Sequence, residues 1–158
     1  MDNMLLSPAE YDRWYYTEKG KYISGFEKRI LLKMINPPSR PFSKGGLGGI
    51  LDIGCGTGYF TQFFGGLCRN TVGVDTSMDM IKYAVKNHGA DNIKYIVADA
   101  ENLPFKDRNF DISASITAVN FFKNPAKSVS EAVRVSRKKI FLGVLNRWSM
   151  LSFFKKLK

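Results

Sequence analysis

"LDIGCGTGYF", residues 51–60, sets glycines at 54, 56 and 58 directly after an apolar run that carries one acid, Asp52. A short strand that enters so bare a loop and then a helix directs backbone N–H groups at whatever lies above it, and the missing side chains allow close approach. A nucleotide-like ligand belongs at such a place. The dinucleotide fingerprint needs a small residue where Tyr59 stands, and a P-loop needs a Lys that does not follow Gly58, so NAD and nucleoside triphosphates are both disfavoured.

Outward from this stretch, short apolar runs alternate with helical patterns. Strands are expected at Ile50–Ile53, Thr71–Val74, Ile93–Val97, Phe110–Ile116 and Ile140–Leu145, and helices at Tyr59–Leu67, Met78–Asn87 and Pro125–Val135. Strands that are apolar throughout and separated by helices imply an α/β fold, a Rossmann-like doubly wound, mostly parallel sheet. Before it, Pro8 to Ile35 reads as one helix capped by Ser7, with Phe26, Ile30, Leu31 and Met34 on a shared face. "NPPSRPFSKGGLGG" cannot continue that helix. The expected organisation is a helical cap over 1–35, a linker over 36–49 and a ligand-binding domain over 50–158.

A chain of 158 residues with 44% apolar content suffices for one domain with a real core. No run is long enough to cross a bilayer, and the N-terminus lacks the pattern of a signal peptide, so the chain reads as cytoplasmic. Cys55 and Cys68 form no metal-ligand cluster or disulfide framework, and no metal is expected. The net charge of +10 is concentrated after Asn124, where nine Lys or Arg stand against one acid, Glu131. No aromatic and basic interleaving accompanies it, so sequence-specific nucleic-acid binding is not expected.

Three acids fall at the same sheet edge. Asp75 closes strand 2 where an acid meets a ribose in such sheets, and its two oxygens can accept from both hydroxyls. Asp99 follows strand 3, either as a turn-capping residue or as an acceptor for an adenine amino group. Asp52 lies within strand 1 and, if buried, needs a donor; the loop N–H groups or a ligand ammonium are available. Three carboxylates around one cleft favour a ligand with positive charge over one with phosphates.

"LDIGCGTGYF", "VGVDTS", "VADAENLPF" and "FDISASITAVNFF" together resemble the ordered motifs of class I S-adenosylmethionine-dependent methyltransferases, in particular a small-molecule, quinone-biosynthesis-like branch. The resemblance implies a strand order of 3-2-1-4-5 and S-adenosylmethionine as cofactor. It assigns Gly54, Gly56 and Gly58 to the methionine moiety, Cys55 of the same loop to cofactor binding, Asp52 to the loop and the amine, Asp75 to the ribose, and Asp99 with Ala100 to the adenine. Thr76 and Met80 would pack by the adenosine, and Ile116 and Thr117 would border the methionine end. "YDRWYYTEKGKYISGFEKRILLKMI" is similar to the helical cap of that branch, which makes Tyr11, Trp14, Tyr15, Tyr16 and Tyr22 candidates to close over the cofactor.

Three departures from the family pattern stand out. The turn before strand 5 lacks its glycines, Asn120 stands where relatives often carry His or Glu, and the last two of seven strands are missing. Strand 5 would then need a cover, from further chain of a longer protein, from a second copy or from the "MLSFFKKLK" tail. No catalytic residue is named, because a sulfonium methyl needs mainly alignment and exclusion of water. The expected acceptor is a small molecule. A remnant that binds cofactor without catalysis, an RNA methyltransferase and an NAD-dependent oxidoreductase stand as alternatives. His88, before Gly89, reads as a solvated helix end.

Overall fold

The computed structural model describes residues 6–35 and 49–144. The linker expectation for 36–48 and that for the tail from residue 145 lie outside the described residues. Five parallel strands, β1 (Ile50–Ile53), β2 (Thr71–Asp75), β3 (Ile93–Val97), β4 (Phe110–Ile116) and β5 (Ser136–Gly143), form one sheet in the order β3-β2-β1-β4-β5. The helices are α1 (Pro8–Trp14), α2 (Glu18–Ile35), α3 (Tyr59–Gly65), α4 (Met78–His88) and α5 (Pro125–Val135).

β1 is buried along its whole length, and its alternate residues supply two cores. Ile50 faces Tyr15, Leu31, Phe60, Phe64, Ile112 and Phe141, while Leu51 and Ile53 face Val74, Leu103, Ala132 and Val135. This is what a central parallel strand covered on both sides requires. Asp52 falls by the same alternation on the first face, under α3.

The expected single N-terminal helix is two. Thr17 accepts the Gly20 amide at 3.0 Å and so starts a new helix, and a Cβ on Gly20 would collide with the Trp14 carbonyl oxygen. The signal is the Thr-Glu-Lys-Gly order of residues 17–20, a cap pattern inside a stretch whose apolar period continues across it. The buried face also differs from the expected one. α2 buries Gly20, Ser24, Leu31 and Ile35, whereas Phe26, Ile30 and Met34 are exposed. Gly20 lets α2 pass close to the end of α1, and Ser24, bonded to the Tyr59 hydroxyl, sets α2 against α3, which selects the face.

β5 begins at Ser136, four residues earlier than expected, so Arg137, Lys138 and Lys139 lie on the strand and not before it. Arg137 and Lys138 each reach the buried Asp111 carboxylate at 3.4 Å, and Lys139 donates to the Met34 carbonyl. Only Phe141 of β5 is fully buried. In the sheet of the described residues β5 stands at the edge, with its charges along the first half and its apolar residues along the second.

Candidate functional site

The loop of residues 54–58 sits at the C-terminal end of β1, where the strand order reverses between β1 and β4. Ligands of open α/β sheets bind in that crevice. All three loop glycines have positive φ, +72° at Gly54, +52° at Gly56 and +89° at Gly58. Their surroundings separate their roles. A Cβ at Gly54 would collide with Ala118, and one at Gly58 would come within 2.5 Å of the Tyr95 hydroxyl. At Gly56 the nearest atom is Cε1 of Tyr11, 3.7 Å away. Gly54 and Gly58 are therefore bare for packing, and Gly56 is bare toward the open side.

The loop amides are largely spent on the chain itself, which corrects the expectation that they point at a ligand. Gly54 and Cys55 donate to the Val74 carbonyl, Gly58 donates to the Cys55 carbonyl, and Gly56 donates to Asp75 Oδ2 at 2.9 Å. The other Asp75 oxygen accepts the Ser77 amide, also at 2.9 Å. Each carboxylate oxygen has a second lone pair, so Asp75 keeps acceptor capacity on both. The cradle is shaped by space above Gly56 and an acid beside it. The Thr57 hydroxyl, buried in the loop, and that of Ser115 on β4 have no hydrogen-bond partner among the described residues.

Asp52 is buried beneath the loop, and the donor it finds within the chain is not a loop amide but Thr61 on α3, which donates to Oδ2 at 2.6 Å. Burial, with the Asp75 charge adding to it, pushes the Asp52 carboxyl up to about 7. Burial also raises the Cys55 thiol well above its ordinary value, and its sulfur sits over Gly73 on the sheet side, so it is an inert packing group.

Of the cap aromatics, Tyr11 reaches the loop. Its hydroxyl meets those of Tyr15 and Thr117, and burial raises its pKa. Tyr15 stacks on Tyr59 with centroids 3.9 Å apart and 7° between planes, and the Lys28 ammonium lies 3.7 Å from the same Tyr59 centroid, necessarily on the opposite face. Ser24 joins the Tyr59 hydroxyl at 3.0 Å. The bulky residue that breaks the dinucleotide spacing is thus the anchor of the N-terminal cap. Tyr16 packs edge-on to Tyr59 but is largely exposed, and Tyr22 is 74% exposed. Trp14 packs against the same core as Tyr15.

The remaining expected residues spread along the crevice. Ala100 and Ile116 are buried, Met80 is half-buried, and Thr76 and Asp99 are exposed at the ends of β2 and β3. Asp99 accepts the Glu101 amide at 2.9 Å, which is the turn-capping role. Thr117 adopts φ +62°, a conformation a β-branched residue seldom takes, and the Gly143 carbonyl holds its amide at 2.8 Å.

His88 is not a solvated helix end. It is 4% exposed, with Nε2 3.2 Å from Asp12 Oδ1 and Nδ1 3.1 Å from Gln62 Oε1. Asp12 is equally buried and is not among the candidate residues read from the sequence.

The family model described as a methyltransferase domain matches residues 51–142. An uncharacterized protein of Methanocaldococcus jannaschii is 38% identical over 144 residues, covering 90% of this chain and 60% of the relative. A malonyl-[acyl-carrier protein] O-methyltransferase of Pectobacterium atrosepticum is 38% identical over 88 residues, covering 56% of this chain and 34% of that enzyme. Among solved structures, an S-adenosylmethionine-dependent methyltransferase of Thermotoga maritima, titled a possible histamine N-methyltransferase, aligns with a TM-score of 0.67 at 27% identity, covering 94% of this chain and 64% of that one. The chain thus spans between about a third and two thirds of the length of these relatives. With the motif order, the reversed sheet and the family match in agreement, the chain belongs to the methyltransferase-domain family of class I S-adenosylmethionine-dependent methyltransferases.

Proposed function

We propose that the chain binds S-adenosylmethionine over Gly56 and transfers its methyl group to a small-molecule acceptor. The observation that carries this reading is the pairing of Asp75 with Gly56, which sets an acid with spare acceptor capacity beside the one loop glycine at which a Cβ would meet no atom closer than Tyr11 Cε1 at 3.7 Å. The cofactor supplies a sulfonium methyl that is already activated. The residues then have positional work: Asp75 holds the ribose hydroxyls, Gly56 gives the methionine end room, and Thr117 with Ile116 borders it. Ala100 and Asp99 frame the adenine edge, with Thr76 and Met80 beside the adenosine. Tyr11 closes the crevice from the cap and excludes water.

Asp52 and Cys55 support the loop from below. A raised Asp52 carboxyl that meets a ligand ammonium would lose its proton to the solvent as the ligand binds. The acceptors in the names of two relatives, malonyl-[acyl-carrier protein] for one and, as a possible acceptor, histamine for the other, are chemically unlike. That divergence suits a common cofactor domain served by different acceptor elements. The three cations that meet Asp111 or the Met34 carbonyl, Arg137, Lys138 and Lys139, are spent within the fold, which argues against a nucleic-acid face there.

Isothermal titration with S-adenosylhomocysteine and, separately, with NAD tests the reading. Saturable binding of the first alone is expected. Binding of NAD alone would overturn it, and a panel of small metabolites and RNA with radiolabelled methyl donor then identifies the acceptor class.

A further inference from the structure

α1 is seven residues long. A helix that short does not hold itself in water, so its place is set by what it touches. Its capping box, Ser7 with Glu10, closes its own first turn and fixes nothing beyond it. Besides Tyr11 at the loop and Trp14 on the core, two contacts tie α1 to the domain. At its C-terminal end Tyr15 stacks on Tyr59. In its middle, Asp12 enters a buried polar cluster drawn from three other elements.

In that cluster Asp12 Oδ1 lies 3.2 Å from His88 Nε2 at the end of α4, and Asp12 Oδ2 accepts the Tyr83 hydroxyl at 3.3 Å. The other ring nitrogen of His88 faces Gln62 of α3 at 3.1 Å, and the His88 carbonyl accepts the Tyr95 hydroxyl of β3 at 3.0 Å. Asp12 and His88 are each 4% exposed. A buried pair of this kind adds little net stability over an apolar pair of the same size, but it permits one arrangement and penalises others. Its effect is to fix geometry.

What it fixes is the neighbour of Asp12. Successive helical residues are about 100° apart, so with Asp12 held against α4, Tyr11 is turned onto Gly56 and Thr117. A ligand that approaches Gly56 from the open side meets the Tyr11 ring, 3.7 Å from the position of a Cβ there.

We propose that Asp12 and His88 are positioning residues, a latch that holds α1 closed over the glycine loop and must release for ligand to enter or leave. The gating half rests on the cofactor reading above; the latch itself does not. Neither residue touches the reacting atoms, and their influence passes through Tyr11.

The test uses Asp12→Ala, Asp12→Asn and Tyr83→Phe in the 158-residue chain. Without ligand, Asp12→Ala should speed amide exchange of Tyr11–Trp14 about 10-fold or more while β1 and β2 exchange as in the wild type. Asp12→Asn, which keeps an acceptor toward His88, should restore most of the protection. With S-adenosylhomocysteine in stopped flow, followed by tryptophan emission, both association and dissociation should accelerate in Asp12→Ala, dissociation by about 10-fold or more. A role in stability alone would leave both rates unchanged. Tyr83→Phe removes one hydroxyl at little structural risk and should move the same rates by about 3-fold, which keeps the test valid if Asp12→Ala does not fold. Wild-type exchange in α1 of the folded variants would overturn the latch, and faster exchange with unchanged binding rates would overturn the gate. A wild-type chain that binds no S-adenosylhomocysteine strikes the cofactor reading instead, and amide exchange then decides the latch by itself.

Discussion

Asp75 Oδ2 receives the Gly56 amide at 2.9 Å, which ties the end of β2 to the middle of the β1–α3 loop. One side chain thereby shapes the loop and, in the proposed function, takes the ribose hydroxyls. Asp75→Asn keeps an acceptor but loses the charge and turns half the group into a donor. Affinity for S-adenosylhomocysteine should fall by roughly 1 to 3 kcal/mol, read by calorimetry, with an unchanged far-ultraviolet spectrum. Unchanged affinity in a folded variant would remove Asp75 from the ribose.

The three loop glycines should separate into two classes. Gly54→Ala and Gly58→Ala each add a Cβ where Ala118 or Tyr95 already stands, as well as backbone strain at positive φ, so each should lower stability by about 2 to 4 kcal/mol. Gly56→Ala meets no such neighbour and should cost about 1 to 2 kcal/mol from backbone strain, while it weakens ligand binding out of proportion. Urea denaturation and calorimetry on all three give the comparison. Equal stability losses with equal binding losses would contradict it.

Arg134 ties the segment after β3 to α5. Its guanidinium meets both oxygens of Glu131 at 2.6 and 2.7 Å, Asp107 at 2.9 Å, and the carbonyls of Phe105 and Leu103 at 2.7 and 3.1 Å. Glu131 in turn accepts the Leu103 amide at 2.8 Å. A lysine keeps the charge but cannot span that fork. Arg134→Lys should therefore cost about 1 to 2 kcal/mol in urea denaturation and loosen the segment that carries Asp99 and Ala100. Faster amide exchange at Leu103 and Phe105 is the local check.

The sheet was legible in the sequence because its strands are apolar on both faces, and β3, β4 and α5 have the bounds that periodicity predicts. The places where the reading fails share a cause: tertiary contact overrides a local pattern. Residues 8–35 carry an apolar period through the break at Thr17, and only the approach of α2 decides that Leu31 is buried and Phe26 is not. Arg137–Lys139 read as a flanking turn until Asp111 is set beside them. In the site, the glycines and Asp75 are visible as spacing. His88 and Asp12 are separated by 76 residues, and nothing local to either announces the other.

Asp52 makes the stability of the chain depend on pH in an unusual direction. Its carboxyl is raised from an ordinary value of 3.8 to about 7, chiefly by burial, so between these values the folded chain holds a proton that the unfolded chain has released. The contribution of this group is therefore greatest at or below about pH 4, declines as pH rises and is fully lost once pH passes about 7. Over that interval the loss amounts to up to roughly 4 kcal/mol. Asp52→Asn keeps the acceptor for the Thr61 hydroxyl and cannot ionise, so it should match the wild type near pH 4.5 and exceed it in stability near pH 8, by a few kcal/mol on this order. Urea denaturation of both chains at the two pH values measures the difference. A gap that is the same at both, or that widens as pH falls, would show that Asp52 is ionised in the folded chain at neutral pH.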